Sequence, residues 1–334
     1  MIDETAIDGG QRQSVLLVGC KAADLEAAFA RYALKPGEVV CHTLDIYHRH
    51  AVEKVFHGEV KAVCSAHLPR TAPDGGEWEK VVFRTGPKVM SGELALDLAQ
   101  EAVKLCGAQG TQRFVLDYVG RERDRNDLLD KLKDRTDRVF RAEWPASVPG
   151  GRKLMFTSYP GCFCHRRLDE GGVALAEVVC RELGGAQGDR PLPPSRILDM
   201  GCGCGLVGLL IADSLRQQSK AIDLVMVDSH TRAVEAAEEN AAKFGIPAEV
   251  ILSDNGSPAR LDGTFDVFVG NPPYYSDYRI AEVFLETAKR ALKKGGVCYT
   301  VCKNAAGLKP VQEKYFSSVE IIKRRGYAVL KSLV

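Results

Sequence analysis

Ile197-Leu198-Asp199-Met200-Gly201-Cys202-Gly203-Cys204-Gly205 is an apolar run that breaks into three alternating glycines. A helix-period segment over 206–215 follows at once, so the stretch reads as a strand turning into a helix at the carboxyl edge of a parallel sheet. The glycines permit φ above zero and let a ligand approach the backbone closely. The alternation continues on both sides. Strands are predicted over 153–159, 223–228, 248–253, 265–269 and 297–302, and helices over 171–183, 231–244 and 280–292. A Gly295-Gly296 stop separates the last helix from its strand. The final runs, 319–323 and 327–333, are joined by Arg324-Arg325-Gly326, too short for a crossover, so they must be antiparallel. The second half is therefore expected to be α/β, a mainly parallel seven-stranded sheet with a terminal antiparallel hairpin.

The first half carries the same rhythm, with strands over 15–18, 39–44, 60–65, 80–83 and 113–118. Helices are expected over 22–32 and 92–106, and the charged run over 121–135 reads as a helix with a solvated face. Two prolines and two glycines over 144–151 place a boundary there, between domains at 1–146 and 153–334. Laid on each other, the halves match: Val15-Leu16-Leu17-Val18-Gly19-Cys20 falls on Ile197 to Cys202, and Asp45 on Asp228. The polar equipment does not repeat. Lys21 and Ala23 stand at the places of Gly203 and Gly205, Ala66 at Asp254, and Arg84-Thr85-Gly86-Pro87 at Asn271-Pro272-Pro273-Tyr274. Two tandem Rossmann-like domains follow, the first degenerate and lacking a cofactor site.

Two cofactor readings compete for the glycine turn. Gly203-x-Gly205-x-x-Gly208, with Asp228 about 20 residues on, matches the dinucleotide fingerprint. Asp199 argues against it, because an acid at the strand end welcomes an ammonium group and repels pyrophosphate. Ser253-Asp254-Asn255 after the next strand adds an acceptor for an adenine amino group. Asn271-Pro272-Pro273-Tyr274 then adds a stiff loop, since two prolines fix φ and hold the preceding residues extended. There the Asn271 side chain and the Pro272 carbonyl can accept from an amine to be modified, with Tyr274 stacking on its ring. An ammonium binder, a ribose binder at Asp228 and an amine-holding loop suit S-adenosylmethionine better than a dinucleotide.

On these residues, together with Pro160-Gly161-Cys162-Phe163 and Leu168-Asp169-Glu170-Gly171, the chain resembles the class I methyltransferases. More closely it resembles the family of small-subunit ribosomal RNA guanine-N2 methyltransferases, which also pair a degenerate first half with an active second half. The resemblance implies transfer of a methyl group from S-adenosylmethionine to guanine N2, leaving S-adenosylhomocysteine. It implies Asn271, Pro272 and Tyr274 around the acceptor amine. Around the cofactor it implies Asp199, Gly201, Gly203, Gly205, Asp228, Ser229, Asp254, Asn255 and Asn271, with Phe163 and Asp169 covering it. Tyr274 and Tyr275 stand where the family usually has Phe and His, and Cys162 and Cys164 replace Val and Ser. Asn-Pro-Pro-Tyr also occurs in adenine-N6 and glutamine-N5 methyltransferases, so both remain open as alternatives, as does an inactive RNA-binding module.

Composition bounds the rest. With 334 residues, Lys+Arg 45 against Asp+Glu 44 and a net charge of +1, there is no global basic field, so a polyanion must be met by local patches. Arg166-Arg167, Lys289-Arg290 with Lys293-Lys294, and Lys323-Arg324-Arg325 are such patches, and each reads equally as a solvated helix end or turn. Eleven scattered cysteines without a secretory leader fit a reducing cytoplasm. Cys162-Phe163-Cys164-His165 and Cys202-x-Cys204 lack the paired spacing of a zinc site, and no metal is expected. No apolar stretch reaches membrane-spanning length. The expected partner is ribosomal RNA or a ribosomal subunit, and the expected state is a cytoplasmic monomer.

Overall fold

The computed structural model describes residues 14–106, 113–133, 139–184, 195–256, 258–273 and 278–334. Tyr274, the connection over 185–194 and the end of the charged helix beyond 133 lie outside them. The chain divides into two units, Met1–Phe140 and Arg141–Val334.

In the first unit β1 (Val15–Val18), β2 (Val39–Thr43), β3 (Lys61–Cys64), β4 (Lys80–Thr85) and β5 (Phe114–Tyr118) pair in parallel, in the order β3-β2-β1-β4-β5. The intervening helices are α1 (Ala22–Tyr32), α2 (Ile46–Val55), α3 (Gly92–Leu105) and, after β5, α4 (Glu122–Lys133). Because successive strand residues point to opposite faces, Leu16, Val81 and Phe83 pack with Leu94 and Leu98 of α3. Leu17 and Val82 pack with Leu25 of α1 and Val52 of α2. Sequence reading passed over α2, whose only buried residue is Val52. Its start is fixed by Asp45, whose Oδ1 accepts from the Tyr47 amide at 2.9 Å.

The second unit begins earlier than the proline and glycine content predicts. β6 (Ala142–Ala146) forms an antiparallel ladder with β7 (Leu154–Ser158), so the segment between them is a connection inside this unit. Pro145 is tolerated because β6 pairs on one side only. Trp144 stacks on Phe156 at 5.5 Å and donates through Nε1 to the Ser158 hydroxyl at 3.2 Å.

Then come α5 (Glu170–Gly184), β8 (Ser195–Met200), α6 (Leu206–Gln217), β9 (Ile222–Asp228), α7 (Thr231–Phe244), β10 (Ala248–Leu252) and β11 (Phe265–Gly270). After them lie α8 (Arg279–Ala291), β12 (Leu292–Cys302), α9 (Ala305–Gln312), β13 (Glu320–Arg324) and β14 (Tyr327–Leu333). The seven-stranded sheet runs β10-β9-β8-β11-β12-β14-β13, parallel except where β14 meets β12 and β13. Its first five strands repeat the order of the first unit. Ile197, Met226 and Val269 face α5, α6 and α7, whereas Leu198, Val225 and Phe268 face α8 and α9. Helices thus cover both faces of the parallel part, which explains its near-continuous apolar runs.

Two expectations need correction here. Gly295-Gly296 is not a stop before β12: that strand starts at Leu292, and a register shift between Phe265 and Val267 absorbs the glycines. Helix α9 has no counterpart among the predicted elements, because Pro310 lies inside it and its eight residues are too few to show a helical period. Asn304 caps it, accepting from the Ala306 amide at 3.0 Å.

Candidate active site

The switch in strand order between β8 and β11 opens a crevice at the sheet's carboxyl edge, where ligands of open α/β sheets bind. Gly270 pairs with Met200 across these strands, so Asn271 and Gly201 leave the sheet side by side. The glycine turn is pinned to β9. The Gly201 and Cys202 amides both donate to the Val227 carbonyl, at 2.8 and 3.1 Å, and the Gly203 amide donates to Asp228 Oδ2 at 2.9 Å.

The three glycines have positive φ but different duties. A Cβ on Gly201 would lie 2.6 Å from Phe284, and one on Gly205 would lie 2.8 Å from Leu209. One on Gly203 would meet nothing within 4 Å among the described residues. Gly201 and Gly205 therefore make room for packing, and Gly203 alone turns its backbone toward open space.

Asp228 ties the crevice together. Its Oδ1 accepts from the His230 amide at 2.9 Å, and its carbonyl accepts from the Ser253 amide at 2.9 Å. A carboxylate oxygen can accept more than one hydrogen bond, the capacity that a ligand diol would use. Ser229 and Asp254 are half-buried beside it, and Asn255 is exposed with its Oδ1 accepting from the Ser253 hydroxyl at 2.8 Å.

Asp199 is buried, with Oδ2 accepting from the Gly208 amide at 2.8 Å. Burial pushes its carboxyl up to about 7; the Gly208 amide opposes this, and the charges of Asp228 and Asp169 add to it. The contact also settles the meaning of the dinucleotide fingerprint. An N-terminal amide of α6 that would serve a pyrophosphate is already held by a carboxylate.

Asn271 follows β11, with Pro272 buried and Pro273 half-buried behind it. Its Nδ2 donates to Asp169 Oδ2 at 2.8 Å, and Asp169 Oδ1 accepts from the Gly171 amide at 3.0 Å. Phe163 is 66% exposed, so it is not a core residue. It lies in a loop held by Arg232, whose carbonyl accepts from the Cys162 thiol and whose guanidinium donates to the Pro160 carbonyl at 3.3 Å. Burial pushes Cys162 up to about 12 and raises Cys202 and Cys204 as well, so these thiols stay protonated. Among the described residues no three His, Cys, Asp or Glu side chains converge on a metal position.

Sequence reading missed Asn240. It is buried on α7, its Oδ1 accepts from the Thr157 amide at 2.8 Å, and its Nδ2 donates to the carbonyls of Thr157 and Cys204, both at 2.9 Å. One amide thus joins β7 to the glycine turn. Its polar character inside the face shared by Ala236, Ala237 and Ala241 was the available signal.

Four residues of the basic clusters are held in ion pairs. Arg324 and Arg325 both pair with buried Glu177, Lys293 lies 2.9 Å from Asp266, and Arg290 pairs with Asp262. Arg166 and Arg167 remain exposed.

Over 181 residues the chain is 32% identical to the ribosomal RNA small subunit methyltransferase C of Pseudoalteromonas translucida (strain TAC 125), covering 52% of this chain and 48% of that protein. A protein of the same name from Actinobacillus pleuropneumoniae serotype 7 (strain AP76) is 32% identical over 173 residues, covering 51% and 48%. The chain spans about half the length of these curated relatives. The T. thermophilus 16S rRNA N2 G1207 methyltransferase, solved in complex with AdoMet and guanosine, shares the fold. Its TM-score is 0.69 at 16% identity, over 96% of this chain and 88% of that one. Residues 153–331, more than half of the chain and from β7 into β14, match the model of the methyltransferase small domain, and the chain belongs to that family.

Proposed function

We propose that the second unit binds S-adenosylmethionine and methylates the exocyclic N2 of a guanine in small-subunit ribosomal RNA. The observation that carries this reading is the Asn271 amide, held by Asp169 beside the glycine turn. The residues suit the cofactor. Gly203 faces open space, and the surrounding acids, Asp199, Asp228 and Asp169, favour a cationic ligand and disfavour an anionic one.

When bound, S-adenosylmethionine supplies an activated methyl group, with S-adenosylhomocysteine as product. Asp199 attracts the ammonium group, Asp228 accepts from the ribose hydroxyls, and Asp254 accepts from the adenine amine. Ser229 and Asn255 flank them, and Phe163 covers the site with Asp169 at its side. Asn271 and the Pro272 carbonyl accept hydrogen bonds from the acceptor amine and hold its lone pair in line, with Tyr274 stacking on the base. No strong base is needed, because the nitrogen becomes acidic on methylation and its proton can leave to water.

The first unit lacks this equipment. Arg84, at the place of Asn271, donates to Asp117 at 2.7 Å and to Asp24 at 3.2 Å, and this ion-pair cluster replaces a ligand site. Its role is placement of RNA or stability. The names of the relatives, and guanosine in the similar T. thermophilus structure, support the substrate. The expected state is a cytoplasmic monomer acting on ribosomal RNA or the small subunit; no helix among the described residues is long and apolar enough to cross a membrane.

Calorimetric titration with S-adenosylmethionine and single-turnover methyl transfer test the site. Asn271→Ala is expected to lower turnover by about 100-fold or more, the scale seen on removing one preorganised polar group, with cofactor affinity unchanged. Normal turnover in a folded Asn271→Ala protein would remove Asn271 from the mechanism.

A further inference from the structure

We propose that Asp169 is a positioning residue for the acceptor loop: its carboxylate orients the Asn271 amide so that the amide oxygen, and not the NH2, faces the substrate amine. This rests on the role given to Asn271 above. The resemblance assigned Asp169 to covering the cofactor; the geometry assigns it a different task.

A primary amide has an accepting end and a donating end of nearly equal shape, so packing alone does not choose between its two rotamers. An ionised carboxylate does choose, because it only accepts. Asp169 Oδ2 lies 2.8 Å from Asn271 Nδ2, a charge-assisted contact that takes up the donating end. With the opposite rotamer two acceptors would face each other, and Asn271 would offer N–H groups to an amine that needs an acceptor.

The carboxylate is itself fixed. Oδ1 accepts from the Gly171 amide at 3.0 Å, and the Asp169 carbonyl accepts from the Val173 amide at 3.0 Å at the start of α5. A Cβ on Gly172 would lie 2.6 Å from Oδ2, so any side chain there displaces the carboxylate. A Cβ on Gly171 would lie 3.1 Å from the Tyr327 ring, which walls the same corner. Two adjacent glycines thus leave room for one acid in one orientation.

A reciprocal swap tests the assignment. Asp169→Asn is expected to lower the rate of the methyl-transfer step, read at saturating S-adenosylmethionine, about 10- to 100-fold, the scale of one hydrogen bond to a charged group, in addition to any loss of cofactor affinity that the removed charge brings. Asn271→Asp sets two carboxylates against each other and falls further. The double variant Asp169→Asn/Asn271→Asp restores one donor and one acceptor with their places exchanged, and is expected to recover at least about tenfold over Asn271→Asp. Wild-type turnover in Asp169→Asn, a loss confined to cofactor affinity, or a double variant no better than Asn271→Asp would overturn the proposal.

The ligand-free protein gives a readout that needs no acceptor. The Asn271 side-chain NH2 is expected to be protected from hydrogen exchange in the wild type and to lose that protection in Asp169→Ala while the backbone amides of β8 and β11 keep theirs. Unchanged protection would overturn the positioning role even if the acceptor is not RNA. Absence of methyl transfer by the wild type, with the protection lost as expected, would instead sink the functional reading on which the role depends.

Discussion

At Asp199 burial and hydrogen bonding pull in opposite directions, and burial wins, pushing the carboxyl up to about 7. The folded protein therefore holds this proton more tightly than the unfolded chain. Its contribution favours folding below about pH 4 and is lost as pH rises through about 7. Thermal unfolding of the ligand-free protein across that window should show a decline with pH that Asp199→Asn removes; parallel slopes would assign the effect elsewhere. The glycines make a second residue-scale contrast. Gly201→Ala forces a Cβ to 2.6 Å from Phe284 and is expected to cost about 1–3 kcal/mol of stability. Gly203→Ala pays only the left-handed backbone penalty, about 1–2 kcal/mol, but fills the space offered to a ligand, so its larger effect belongs in cofactor affinity. Titration that finds Gly203→Ala binding normally would remove that backbone from the site. The sequence made all three glycines look alike, because their spacing shows the turn but not what each Cα faces. Asp199, Asp228 and Asn271 were legible from their places at strand ends. The Asp169–Asn271 contact was not, since it joins residues about 100 positions apart.

Among the elements, α7 and β7 are coupled to the glycine turn through Asn240, which lies far from the motif in sequence. Asn240→Ala leaves the Thr157 amide and the Cys204 carbonyl without this partner. It is expected to cost about 2–4 kcal/mol in denaturant unfolding, the scale of two or three buried groups losing a bond, and to weaken S-adenosylmethionine binding. A stability loss with intact affinity would mean that the turn keeps its shape unaided. Elements with a clear apolar period or run were legible: α1, α7 and β14 fall at their predicted bounds. Those fixed by tertiary contacts were not. β6 exists because Trp144 and Phe156 stack across a two-stranded ladder, and its proline reads locally as a linker. Helix α9 is anchored by Gln312, which accepts from Thr300 at 2.6 Å and donates to Ser332 at 2.9 Å. Neither contact leaves a periodic signal.

For the whole molecule, two sheets that share a strand order over five strands, each with its own apolar clusters, support a duplicated fold. The repeat was legible because Gly19 and Asp45 survive at the places of Gly201 and Asp228. Asp45 even retains the bond to an amide two residues on that Asp228 makes. The fate of the basic clusters was not legible, because the carboxylates that take up Arg324 and Arg325 come from a helix about 150 positions away. The central claim, that this molecule methylates guanine N2 in ribosomal RNA, is tested most directly with labelled S-adenosylmethionine. The intact protein is offered ribosomal RNA, assembled small subunits and total protein, and the acceptor is digested and analysed by mass spectrometry. The account predicts N2-methylguanosine in small-subunit RNA and no label when Asn271→Ala replaces the wild type. Label in adenine or in a protein glutamine would contradict it.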